Sequence, residues 1–174
     1  MREPKPIYAQ GFFHLRRNGL VDQTIIFDYY DPDKYYYRIM RHKLKLDQEI
    51  DLLRKNMQYF LDQERVLING ADASPKVMHV EIGIRGLPDL AYVLFLISFK
   101  GELVDGLNTY ENIYEEEAVD YDYTVYWIFP ENARIVEADL GVPYIVYGNR
   151  ILYFRVSKGT HVGGYERIVF EMRR

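Results

Sequence analysis

The chain contains no cysteine, which excludes a disulfide-stapled extracellular mini-protein and a thiolate metal site. Long hydrophobic runs are missing too. The longest uncharged apolar stretch, residues 91–99, falls far short of the roughly 20 residues that a membrane-spanning helix requires. The amino-terminal stretch MREPKPIYAQGFF carries charge and two prolines but no apolar signal-peptide core. A soluble, cytoplasmic protein with no membrane partner is therefore expected.

Catalytic signatures are equally scarce. Serine occurs only as Ser74, Ser98 and Ser157, none of them in a G-x-S-x-G context. The histidines, His14, His42, His79 and His161, are scattered without an H-x-x-x-H or H-E-x-x-H pair, so no metal triad is expected. The glycine-rich run at residues 159–164 precedes a strand rather than a helix, so it offers no helix N-terminus to a phosphate. No cofactor is expected. Lysine and arginine are also absent from residues 101–133, a stretch that holds nine of the 26 acids.

Tyrosine is abundant: 17 of 174 residues, within an aromatic content of 16%. Aromatic residues favour strands. A charged content of 28% without cysteine also suits a thermophile. Asn18-Gly19 and Gly148-Asn149 are two-residue hairpin signals, and Asn69-Gly70 and Asp31-Pro32-Asp33 mark further turns. Between them, period-two or doubly apolar runs read as about ten strands. Residues 91–99 are apolar on both faces and read as a central strand. Residues 76–85 place Met78, Val80, Ile82 and Ile84 on one side. Residues 35–46 read as a strand with Tyr36, Met40, Leu44 and Leu46 on one face and Arg41, Lys43 and Lys45 on the other.

The period changes once. Ile50, Leu53, Met57 and then Phe60 or Leu61 form a helical stripe, with Asp47 as N-cap, so one helix is predicted near residues 47–61. The pattern as a whole predicts a mainly β protein: a two-sheet antiparallel β-sandwich, Ig-like or jelly-roll-like, with 1–174 as a single domain.

The acidic, tyrosine-rich segment 108–122 is the first candidate site. It runs into a strand where Tyr121, Tyr123, Val125, Trp127 and Phe129 share a face. Uncompensated acids repel one another unless they are spread in water, hold a cation or meet a basic surface. The glycine-punctuated spacing of a calcium loop is absent. Glu111, Glu115, Glu116, Glu117, Asp120, Asp122, Tyr126 and Trp127 are therefore the predicted interaction residues of a non-catalytic binding or assembly module. Its partner would be another protein or a second copy of the chain.

A basic run, Lys34, Tyr35, Tyr37, Arg41, Lys43 and Lys45, supports a second reading as a platform for single-stranded nucleic acid. A sequence pI of about 5.6 places that reading behind a charge-protected edge strand. A carbohydrate hydrolase built on paired carboxylates, with Glu111, Glu115 and Asp122 near Tyr126 and Trp127, ranks third. The far-ultraviolet circular dichroism should be dominated by strand; a helix content above about a third would be incompatible with a sandwich.

Overall fold

The computed structural model describes residues 2–173 and is mainly β, with 53% strand and 15% helix. The chain begins with a hairpin of β1 (Lys5–Leu15) and β2 (Leu20–Tyr30), followed by helices α1 (Tyr35–Ile39) and α2 (Lys43–Gln63). Strands β3 (Arg65–Ile68), β4 (Ala71–Asp72), β5 (Lys76–Ile84), β6 (Leu90–Lys100) and β7 (Gly106–Ile113) come next. After β8 (Glu117–Ala118) and β9 (Asp122–Ile128), the chain continues through β10 (Ala133–Asp139), β11 (Tyr144–Tyr147) and β12 (Ile151–Val156). It ends with β13 (His161–Val162) and β14 (Tyr165–Met172).

These strands form a large seven-stranded sheet, β11-β12-β9-β1-β2-β6-β5, and a small five-stranded sheet, β10-β14-β7-β3-β4. A two-stranded ribbon joins β13 to β8. All pairing is antiparallel except that of β1 with β9, which run parallel with Gly11 opposite Val125 and Phe13 opposite Trp127. A parallel neighbour requires a long crossover, and here the helices and most of the small sheet lie between the two strands. The arrangement is sandwich-like, as the pattern predicts, with this one parallel pair inside it.

Directly opposed residues share a face, so the pairing fixes which side of the large sheet is inner. Phe13, Val21, Phe99, Trp127, Leu152 and Phe154 project to one side, as do Ile25, Phe27, Val80, Ile82, Val93 and Phe95. The first group packs with Val66, Ile68, Tyr110, Ile168 and Phe170 of the small sheet. The second packs under α1 and α2, against Tyr36, Ile39 and Leu61. One sheet face therefore has two covers. Trp127 anchors the first: its ring stacks on Phe13 at 4.4 Å and 9° and lies 4.5 Å from that of Tyr110.

Several local readings need correction. Residues 35–46 form a short helix, a turn at 40–42 and the start of a second helix, not a strand. The buried Asp31 carboxylate accepts the Tyr36 backbone N–H at 2.8 Å, and Lys34 at φ 55° turns the chain into α1. Tyr36 and Ile39 then bury at a spacing of three, while Met40 and Leu44, assigned by period two to the same buried face, lie exposed. The second helix starts at Lys43 with His42 as N-cap, ahead of the predicted Asp47. Its stripe ends on buried Leu61, and Phe60 is exposed. In β5 a register shift between Val77 and His79 turns Met78 outward. The outer face of β6 has no covering layer, and Leu96 on it is exposed. At Asn18-Gly19 only Gly19 takes positive φ, whereas Gly148 and Asn149 both do.

The sheets meet closely where Gly101 follows β6. A Cβ on Gly101 would fall 2.4 Å from the Ile68 Cβ of β3, closer than two carbons approach. Gly101→Ala should therefore lower stability by roughly 1–3 kcal/mol through forced repacking, and Trp127→Ala by about 3–5 kcal/mol through the cavity it leaves. Urea unfolding measures both; a Gly101→Ala protein as stable as the parent would refute the tight contact.

Candidate functional site

The two covers of the inner face leave a seam between them, and the seam opens as a cleft of about 770 Å³. Its floor is the inner face of β2 and β6, with Ile25, Phe27, Tyr29 and Phe95. One wall is α2, which contributes Leu53, Met57 and Leu61 from its stripe and Tyr59 and Phe60 from its margin. The other wall is the segment between β7 and β9, which contributes Tyr114, Glu115, Glu117 and Tyr121. Tyr121 meets Phe27 edge-on, with ring centroids 6.2 Å apart. Glu64, at the C-cap of α2, closes the inner end. Among the described residues, neither lysine, arginine nor histidine lines the cleft.

Behind Glu64 the small sheet aligns further polar groups on its inner face. Glu166 of β14 sits opposite Asn112 of β7, and Asn112 sits opposite Val66 of β3. The Asn112 amide donates to Glu64 Oε2 at 3.1 Å, and its own buried Oδ1 has no partner among the described residues. Burial pushes the Glu166 carboxyl up to about 7, and the Glu64 carboxylate adds to the effect. Burial raises Glu64 as well; the Asn112 amide opposes that rise, and Glu117 adds to it. Burial also raises Tyr114, which Glu166, Glu64 and Glu117 raise further. Tyr121 is pushed up to about 12 by burial first, then by Tyr29, Glu117 and Asp120. These tyrosines stay neutral at physiological pH.

The predicted acidic surface is not one surface. Glu111 lies on the outer face of the small sheet and accepts the Tyr165 hydroxyl at 2.6 Å. Asp122 lies on the outer face of the large sheet, where it accepts the Lys158 N–H at 2.8 Å and pairs with Arg155 at 2.6 Å. These contacts, the Lys158 N–H foremost, hold its pKa below the ordinary aspartate value. Glu116 pairs with His161 at 3.1 Å, and Asp120 is exposed. Tyr126 stacks on Phe12 at 5.2 Å on the outer face. Trp127 is 2% exposed and cannot contact a partner, because its ring completes the sandwich core. Of the eight predicted residues, only Glu115 and Glu117 line the cleft.

Glu111, Asp122 and Trp127 therefore do not converge as a hydrolase would require. The basic residues sit on α1, α2 and the turns flanking α1 rather than on a strand, with Arg41 over the Tyr37 ring at 4.4 Å. Lys45 lines a second cavity of about 530 Å³ together with Tyr35, His42 and Glu49. No group of three or more metal-ligating side chains is placed to hold an ion among the described residues. No helix among them is long and apolar enough to cross a membrane.

Pattern reading missed Glu64 and Glu166. A signal existed for the second: Ile168, Phe170 and Met172 mark the inner parity of β14, and Glu166 is the charged residue that extends it.

No family model matches this chain, and no curated protein matches it in sequence. Among solved structures, the folded domain of LppM from Mycobacterium tuberculosis is similar at TM-score 0.49 and 9% identity, over 100% of this chain and 94% of that one. An aminopeptidase N family protein from Idiomarina loihiensis is similar at TM-score 0.42 and 7% identity, over 92% of this chain and 29% of that one. An M1 zinc metallopeptidase from Deinococcus radiodurans gives TM-score 0.39 and 10% identity, over 97% of this chain and 42% of that one. None of these likenesses bears on what this chain binds.

The raised Glu166 carboxyl makes stability depend on pH. Between about pH 4.5 and 7 the unfolded chain has lost this proton while the folded chain keeps it, so stability falls as pH rises through that window and then levels off. Glu166→Gln removes the titration. It should stabilise the protein by roughly 1–3 kcal/mol near pH 8 and very little near pH 4. Equal effects at both pH values in urea unfolding would contradict a protonated Glu166.

Proposed function

We propose that this chain is a non-catalytic binding module whose cleft, between α2 and the 114–121 segment, receives a cationic segment flanked by apolar residues on a partner protein. The observation that carries the reading is the composition of the cleft: Glu64, Glu115 and Glu117 above an aromatic and aliphatic floor, with no basic side chain among them. An anionic ligand would be repelled. A purely apolar ligand would desolvate the carboxylates without compensation. A cation gains from the carboxylates at reduced dielectric and from the faces of the tyrosine and phenylalanine rings.

The acids are arranged for attraction rather than for proton transfer to a substrate. Glu115 and Glu117 stand on the open rim, where charges steer association and set its salt dependence. Glu166, its pKa raised by burial, lies behind Glu64, outside the cleft lining.

A fluorescent peptide of alternating lysine and leucine should bind at low salt and weaken as salt rises, whereas its glutamate counterpart should not bind. Glu115→Gln/Glu117→Gln should weaken binding roughly tenfold and leave the melting temperature unchanged or slightly higher. Equal binding of the two peptides in an anisotropy titration, or indifference to the double substitution, would overturn the reading.

A further inference from the structure

Helix α2 bears charge that opposes its own dipole at both ends. Its first turn carries Lys43 and Lys45 and no acid, and its last turn carries Asp62 and no base. Aligned peptide dipoles leave partial positive charge at the first end and partial negative charge at the last, so Lys43 and Lys45 are unfavourable at the first end and Asp62 at the last, where Lys76 at 3.8 Å offsets it in part. At about 1.5 Å per residue, the 21 residues separate the ends by roughly 30 Å. That is several Debye lengths at physiological salt, so one end does little to neutralise the other within a single copy. Lys43 and Lys45 form no ion pair among the described residues, and neither do Glu115 and Glu117.

Apolar side chains of the helix are most exposed near its two ends, with Leu52 at 52% between them. Leu44 is 71% exposed between the two lysines, and Met40 nearby is 38% exposed. At the other end, Tyr59 and Phe60 on the wall of the cleft are each 62% exposed. One end of the helix is thus a basic corner tipped with leucine, and the other is an acidic cleft lined with aromatic rings.

We infer that the partner is a second copy of this chain, whose basic corner between α1 and α2 docks in the cleft beside the C-terminal end of α2 in the first. This rests on reading the cleft as a site for a cationic segment, and it identifies that segment. Leu44 enters the apolar floor, while Lys43 and Lys45 meet Glu115 and Glu117 on the rim. The two surfaces differ, so the contact is heterologous. Each copy donates once and accepts once, and the assembly grows head to tail, either closing into a ring or remaining an open filament. A copy cannot fill its own cleft, because the rigid helix holds its corner at the far end.

Sedimentation velocity on the full chain tests this. The wild type should form species larger than one chain at low salt, growing with concentration, and should dissociate near 1 M salt, where the Debye length is about 3 Å. Lys43→Gln/Lys45→Gln and Glu115→Gln/Glu117→Gln should each be monomeric, with unchanged circular dichroism. Mixed in equal amounts, they should form a complex of one chain each and nothing larger, because one variant keeps the acceptor and the other keeps the donor. A wild type that is monomeric at every salt and concentration overturns the inference, as does a mixture that gives no complex or an extended ladder. A synthetic peptide of residues 41–46 separates the two levels of the argument. Peptide binding by a monomeric wild type removes self-docking and leaves the cleft reading standing; no binding removes both.

Discussion

One apolar sheet face has to be kept from water, and it is wider than any single layer set against it. Seven strands at about 4.8 Å each span roughly 30 Å. The small sheet covers the end around β1, β9 and β12, and the helices cover the end around β5 and β6. The two covers do not meet edge to edge over β2 and β6, and a gap is left between them. The cleft is that gap. It is therefore a consequence of how the core is closed, and its lining of Phe27, Tyr29 and Tyr121 is core-type surface left at the join.

The charges around the gap run against stability. Each unfavourable charge at an exposed helix terminus costs about 0.3–1 kcal/mol, and burying Glu166 beside Glu64 adds to that above neutral pH. Other acids in the same stretch of sequence have partners: Asp122 pairs with Arg155, and Glu116 is hydrogen-bonded to His161. Glu115 and Glu117 on the wall of the cleft have no such ion pair among the described residues.

The strands were legible in the sequence wherever one face is buried and the other is wet. Residues 121–129 show the alternation, since Tyr123, Val125 and Trp127 point inward while Asp122 and Thr124 point outward, although Thr124 is covered there by Tyr8. Period two misled at residues 35–46, because a short helix and a turn can imitate alternation over three or four residues. There the deciding interaction, the Asp31 carboxylate on the Tyr36 N–H, comes from a turn that shows no helical period of its own. Strand β7 was obscured for a different reason. Its inner face carries Asn108 and Asn112, and Asn108 is buried because it satisfies Val104 and Gly106 rather than because it is apolar. The acidic segment was legible in the composition, but its division among three surfaces depends on sheet register. Composition does not encode register, and it is register that sets Glu166 opposite Asn112, the residue whose amide reaches Glu64.

The parallel pairing of β1 with β9 affects the order in which the molecule can be built. The first strand finds its partner on one side at once, in the adjacent hairpin, but its other edge waits for residues 122–128. Trp127, the centre of the larger core, arrives on that late strand. Contacts so distant in sequence carry a large loop-closure entropy and slow the search for the native state. During synthesis, the edge of β1 and the aromatic side of the first hairpin stay open until residues 122–128 have been made. An unpaired edge beside an uncovered apolar face is prone to aggregation, and here that hazard belongs to the nascent chain rather than to the finished protein.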